Sequence, residues 1–342
     1  MVSVKIKKFG PPTSSIFFDE TSINANLGKD ELLLDVLLFP INPADLLLIE
    51  GKYAAKPKLP INIGSECVAV VSKVGSEINT VREGDIVLPL TRGNWATKKI
   101  VKVDEIIKLK DNTKLEQVSM LKVNPATAYL ILNNYVNINK NDYVMQNAAN
   151  SSVGNHIIQL CKYYGIKNIN LVRRNEVIQD LYDKGATKVF NNDDLNQIYD
   201  FVRERNIKIY LDALGGKQVN KLVSAMNYKT TIINYGLLSG KNIELDPYNI
   251  IFKDVQLRGF WLSIWLEKMS YHERNNLYNH LEDLIQKNII FAEIEKVYEM
   301  SALFDAIKHS SSYSRKGKIL VSPNLKLLNK ILSQKRIIKL NS

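Results

Sequence analysis

Asn147, Ala148, Ala149, Asn150, Ser151, Ser152, Val153 and Gly154 form a run of small and hydroxyl-bearing residues between an apolar stretch and an amphipathic one. On the spacing G-x-G-x-x-G, Ala149 and Ser151 take the first two glycine positions and Gly154 the third. Such a turn before a helix presents backbone N–H groups and the positive end of the helix dipole to a pyrophosphate. Small residues let the backbone come close, and Ser151 and Ser152 add hydroxyls. The same composition also suits an ordinary N-cap. Position decides between the two: the run joins the first strand and first helix of an alternating set, which favours a dinucleotide. An NAD site places a carboxylate about 20 residues further on, for the ribose hydroxyl. Here stand Arg173 and Arg174. A carboxylate repels a 2′-phosphate, whereas a guanidinium forks onto one, so NADP(H) is the expected cofactor.

Other chemistry has little material. The 342 residues hold two cysteines and four histidines, with no CxxC, HExxH or GxSxG. No metal site is expected. Cys67 and Cys161 read as buried small hydrophobes in a reducing compartment, and His156 as a helix-surface residue. Lys and Arg number 46 against 35 Asp and Glu, a net charge of +11 that reads either as a solvated surface or as a field that attracts anionic substrates. No helix-turn-helix, zinc finger or aromatic RNA-binding motif accompanies it, so nucleic acid is not an expected partner. No apolar stretch is long enough for a membrane span. The N-terminus, MVSVKIKKFG, alternates like a strand and has neither a secretory core nor a transit helix. The expected location is the cytoplasm in a bacterium, or the mitochondrial matrix after removal of a presequence in a eukaryote.

Two kinds of scaffold must position these residues. In the first third, short β-rich runs at 31–39, 67–74 and 85–90 are punctuated by Gly64, Gly75 and Gly84, which predicts an antiparallel barrel or sandwich. From 143 to 260, strands and helices alternate: six strand signals with crossover helices predict a doubly wound parallel sheet. A helix at 272–286, a segment at 294–298, a helix at 301–309 and a strand at 318–321 follow. A basic tail from Leu325 places Leu327, Leu328, Ile331 and Leu332 on one helical face, expected to dock on the body of the protein, with a surface for an acidic partner or a membrane as the alternative; Lys335, Arg336 and Lys339 belong to the same run.

At this point the residues carry a resemblance. Gly64, Ser65, Glu66, Gly75, Ile78, Gly84, Asp85 and Val87 resemble the N-terminal signature of the medium-chain dehydrogenases/reductases. The zinc enzymes of that superfamily have a cysteine near Asn42 and a histidine where Ser65 stands, and a four-cysteine loop that is absent here. Within the zinc-free branch, INPADLLLIEGKY, VNPATAYLIL, QNAANSSVG, INLVRR and LRGFWLSIW, spread from Ile41 to Trp265, resemble trans-2-enoyl-thioester reductases of mitochondrial-type fatty acid synthesis. That family often has Arg-Asp-Arg after the second strand; this chain has Arg173, Arg174 and Asn175.

The resemblance implies an α/β fold: a Rossmann sheet of 121–290 that binds NADP(H), and a GroES-like barrel of 1–120 completed by 291–342. It implies NADPH-dependent reduction of enoyl-CoA or enoyl-acyl-carrier-protein by a homodimer. It places the active-site tyrosine at Tyr53 and a cleft-lining tryptophan at Trp261, flanked by Phe260 and Leu262 beside the nicotinamide. Asn124 and Tyr235, Gly236, Leu237 and Leu238 match cofactor-contacting positions. A quinone or enal reductase of the same superfamily is the alternative. A non-enzymatic protein that binds NADPH or nucleic acid is a third.

Overall fold

Strand signals of four to six residues recur from Tyr143 to Gly259. In the computed structural model, which describes residues 1–22, 26–312 and 315–340, each of them is a strand. The chain divides into two compact units, a first of Met1–Val123 with Ser270–Ser342 and a second of Asn124–Met269. The helix Tyr271–Gln286, placed by sequence within 121–290, thus lies in the first unit. There its Tyr278 hydroxyl donates to the Lys122 carbonyl at 3.1 Å, and its Glu282 carboxylate accepts from the Lys110 N–H at 3.0 Å.

The unit 124–269 is built on a six-stranded sheet. Its order is Lys188–Asn191, Lys167–Val172, Tyr143–Gln146, Ile207–Asp212, Thr231–Asn234, Gln256–Gly259, with every neighbouring pair parallel. Strands rich in Ile, Val and Leu suit this position because helices cover both faces. Met145, Ile169, Leu171, Ile207, Tyr210 and Ile232 meet in one core. The winding reverses beside Tyr143–Gln146, and this doubly wound Rossmann sheet receives ligands at the C-terminal ends of the strands there. The helix Ser152–Tyr164 is covered by the sheet on one side and by the helix Asn124–Asn134 on another. His156, expected on its surface, is therefore buried, with Nδ1 at 3.3 Å from Gln159 Oε1.

The other unit is mainly antiparallel. Its long strand Glu31–Pro40 is paired along its length with Val68–Val74, with Lys98–Lys102 on its first half and Lys318–Ser322 at its last residues. Ile86–Pro89 and Ile106–Lys108 extend the sheet on one side and Ile294–Glu299 on the other, while Ile16–Glu20, Val2–Ile6 and Ile61–Asn62 form a second sheet. Trp95 is fully buried between them, stacked on Phe39 at 5.6 Å. Cys67 immediately precedes the strand Val68–Val74 and is buried. The basic tail is a helix, Leu325–Leu340. Leu328 is buried and Leu327, Ile331 and Leu332 half-buried as the helix packs along Glu31–Pro40. The side chains of Lys335, Arg336 and Lys339 lie outside the described residues.

Candidate active site

Tyr53 is positioned by a short helix, Pro43–Ile49. Asn42 caps it: the Asn42 N–H donates to Asp45 Oδ2 at 3.0 Å, and Pro43 begins the helix, where its missing N–H costs nothing. The helix stops at Gly51, whose φ of 72° is the left-handed turn that favours glycine. The chain then folds back, so that the N–H groups of Lys52 and Tyr53 both reach the Leu47 carbonyl, at 2.8 and 3.1 Å. The Tyr53 ring packs against the barrel core and is half-buried. Arg92 Nη2 donates to its hydroxyl at 3.1 Å, with the guanidinium carbon 5.1 Å from the ring centroid.

Asn42 and Ser65, at the positions where the zinc enzymes carry ligands, belong to a buried polar cluster. Asn42 Nδ2 donates to Glu66 Oε1 at 2.7 Å, and Lys318 Nζ donates to Asn42 Oδ1 at 2.6 Å. Ser65 donates to Asp45 Oδ1 at 2.5 Å. Lys122 Nζ donates to the carbonyls of Ser65 and Thr91 at 2.7 and 3.0 Å, and the Val123 N–H donates to Glu66 Oε2 at 2.8 Å. Burial pushes Glu66 up to about 7, against the pull of Lys318. It pushes Lys122 down to about 7 and Lys318 down to about 8, each held up in part by Glu66. An ammonium on Asn42 and a hydroxyl given to Asp45 do not fit a zinc site, which needs thiolate or imidazole donors.

The cofactor loop sits at the C-terminal end of Tyr143–Gln146. Ala148 turns with a φ of 46°, and Ser151 Oγ caps the helix by accepting from the Gly154 N–H at 3.1 Å. A Cβ on Gly154 would lie 2.5 Å from the Ala149 carbonyl oxygen, so only glycine lets the helix approach the strand this closely. Asn150 is exposed and Ser151, Ser152 and Val153 are half-buried around the N-terminus, where N–H groups lack intrahelical partners. Ser151 also faces the Tyr235 phenol, which burial and the Asp212 carboxylate keep well above its ordinary range.

Behind the loop, Asn147 Nδ2 donates to Asp212 Oδ1 at 2.6 Å, Asn234 Nδ2 to Asp212 Oδ2 at 2.8 Å, and the Ala213 N–H to Asn147 Oδ1 at 2.8 Å. These ties lock three adjacent strand ends together. Sequence reasoning missed Asn147, Asp212 and Asn234 in this role; polar residues ending three parallel strands were the available signal.

Arg173, Arg174 and Asn175 follow Lys167–Val172 directly. Arg173 is exposed, Arg174 pairs with Glu176 at 3.7 Å, and Asn175 Oδ1 accepts from Asn191 Nδ2 at 2.7 Å. Gly236, Leu237 and Leu238 continue past Thr231–Asn234; the Leu238 N–H returns to the Ala213 carbonyl at 3.1 Å, and both leucines are exposed. Phe260 is buried against Trp265 at 6.0 Å, whereas Trp261 is exposed at the start of the helix Leu262–Lys268. Asn124 is buried, and its Nδ2 has no hydrogen-bond partner among the described residues. The N–H-rich helix start, with two guanidinium groups at the end of the next strand, fits a bound dinucleotide phosphate. Tyr53 lies in the first unit and the remaining expected contacts in the second.

Comparison with known proteins bears on the family and the fold. The profile of the alcohol dehydrogenase GroES-like domain matches residues 28–110, and that of zinc-binding dehydrogenase matches residues 152–275. The mitochondrial enoyl-acyl-carrier-protein reductase of Dictyostelium discoideum is 32% identical over 94% of this chain and 95% of its own. Etr1p of Candida tropicalis, a mitochondrial 2-enoyl thioester reductase, is 25% identical with a TM-score of 0.85, over 94% of this chain and 99% of its own. It has been solved with NADP and crotonyl-CoA, and as a heterodimer with Etr2p. Escherichia coli quinone oxidoreductase, solved with NADPH, shares the fold alone, at 20% identity and a TM-score of 0.85 over 94% of this chain and 100% of its own. Such agreement along nearly the whole length, across both units, leaves one assignment: the chain belongs to the mitochondrial-type enoyl-acyl-carrier-protein reductases of the medium-chain dehydrogenase/reductase superfamily.

Proposed function

We propose that this protein reduces the conjugated double bond of trans-2-enoyl thioesters to the saturated acyl thioester, with NADPH, in fatty acid synthesis. The observation that carries this reading is the match over 94% of the chain to an enoyl-acyl-carrier-protein reductase. When bound, NADPH would supply the hydride that the β-carbon receives, and the proton that the α-carbon takes up would come from water, directly or relayed through the Tyr53 hydroxyl. The chain's own residues do the rest. Tyr53 donates a hydrogen bond to the thioester oxygen, where enolate charge builds, so that no metal is called on to polarise it. Trp261, with Phe260 and Leu262, supplies apolar wall that excludes water from the reacting carbons. Asn124, Asn150, Ser151, Ser152, Val153 and Gly154 bind the cofactor's phosphates and ribose, with Tyr235, Gly236, Leu237 and Leu238 beside them. Arg173 takes the 2′-phosphate, with Arg174 and Asn175 adjoining.

NADPH oxidation with crotonyl-CoA tests the activity. Turnover of crotonyl-CoA well above that of a quinone is expected; the reverse order would assign the protein to the quinone reductases. Tyr53→Phe is expected to lower kcat by roughly 10²–10⁴-fold while NADPH still binds. Unchanged turnover would remove Tyr53 from the mechanism.

The reading extends to partners and place. The protein acts as a homodimer on enoyl-CoA or enoyl-acyl-carrier-protein. The mitochondrial names of its relatives support the matrix as its location in a eukaryotic cell, which cell fractionation checks. No helix among the described residues is long and apolar enough to cross a membrane.

A further inference from the structure

We infer that Arg92 is a positioning residue for Tyr53, an inference that rests on the role of Tyr53 proposed above. The guanidinium meets the phenol twice: Nη2 donates to the hydroxyl oxygen at 3.1 Å, and the guanidinium carbon lies 5.1 Å from the ring centroid. A phenol hydroxyl rotates between two in-plane positions. A donor on the oxygen occupies one lone-pair direction and turns the proton to the other side, where a thioester oxygen can accept it. The positive charge beside the oxygen also strengthens the phenol as a donor to an anion, because successive hydrogen bonds polarise one another.

Arg92 is held for this task. Its own carbonyl accepts from Lys99 Nζ at 2.5 Å, and the carbonyl before it, on Thr91, accepts from the buried Lys122 at 3.0 Å. The Asn94 side chain closes the loop, donating to the Thr91 carbonyl at 2.9 Å and to the Gly64 carbonyl at 3.2 Å. Tyr53 is tethered independently, through Leu47. Two separately anchored loops, 39 positions apart in sequence, thus bring a guanidinium and a phenol together. Arg92 is exposed, and it is the anchoring of the two backbones that sets its guanidinium beside the phenol.

A double-mutant cycle on crotonyl-CoA reduction tests this, with Arg92→Gln, Tyr53→Phe and the double variant. Arg92→Gln is expected to lower kcat about tenfold, the range of a hydrogen bond from a charged donor. NADPH affinity by fluorescence titration, the melting temperature and the KM for crotonyl-CoA should stay near wild type, and Arg92→Lys should recover part of the rate. In the Tyr53→Phe background the same change should add less than about twofold, since it then has no phenol to place. Equal losses in both backgrounds, full turnover by Arg92→Gln, or a loss confined to KM would overturn the inference while leaving Tyr53 in place. Full turnover by Tyr53→Phe would instead remove the underlying reading, and the inference with it.

Discussion

Arg173 and Arg174 are adjacent, yet the structure treats them differently. Arg174 is half-buried and pairs with Glu176, and Arg173 is exposed at the end of Lys167–Val172. The 2′-phosphate contact proposed for Arg173 rests on its place after the second strand, where an NAD site carries a carboxylate. Arg173→Ala is expected to raise the KM for NADPH about 10–100-fold, the worth of a charged hydrogen bond, and to leave the KM for NADH nearly unchanged. Equal changes for both would refute that role. The two thiols make a separate prediction at this scale. Burial pushes Cys67 and Cys161 up to about 12, from an ordinary 9.0. A folded pKa above the unfolded one means that the stability of the buried neutral thiol is complete below pH 9 and is lost as pH rises toward 12. Native protein at pH 8 should thus give no reaction with a disulfide reagent, and denatured protein should give two thiols per chain.

The helix Ser152–Tyr164 is the element that the proposed cofactor site is built on. Ser151 caps its start and Gly165, with a φ of 69°, ends it. Its closeness to the strand Tyr143–Gln146 depends on Gly154, where a Cβ would meet backbone atoms of Ala149 that cannot swing away as a side chain would. Gly154→Ala must push the helix outward and displace the N–H groups of its first turn. A stability loss of about 1–3 kcal/mol is expected. The Kd for NADPH should rise at least about tenfold, which calorimetry reads directly. Near-normal binding would show that the cradle tolerates the shift. The helix Pro43–Ile49 plays the corresponding part for Tyr53. Its Asn42 and Asp45 side chains are tied to Glu66 and Ser65, so its axis is set by the barrel and not by its own short length.

Assembly belongs to the whole molecule. Gln256–Gly259 is the last strand of its sheet and is exposed along its full length, leaving a row of backbone groups open on one side. Leu257 is 46% exposed, and on the preceding helix Pro247–Lys253 Ile251 and Phe252 are 66% and 65% exposed. Large apolar side chains beside an open edge support pairing with a second copy there, as the homodimer proposal requires. Leu257→Lys places a charge on that edge and forgoes about 2 kcal/mol of burial in each copy. Sedimentation should report a dimer for the wild type and a shift toward monomer for the variant. A wild-type monomer, or a dimer indifferent to the change, would locate the interface elsewhere or nowhere.

Much of this protein was legible in its amino-acid order. Alternating strand and helix signals from 143 to 260 are local patterns, and local patterns survive into the structure with ends moved by only a few residues. The loop 147–154, the paired arginines and the loss of zinc ligands at Asn42 and Ser65 are equally local, because residue type and spacing carry their chemistry. What the tertiary structure decided is every pairing between distant positions. Lys318 meets Asn42 across 276 positions, and Glu282 meets the backbone of Lys110 across 172. His156 lost its surface place because a second helix covers it. Periodicity tells which face of an element is apolar, but not which elements close over it. The partners of a buried charge, and the arginine that meets the Tyr53 phenol, follow only from that closure.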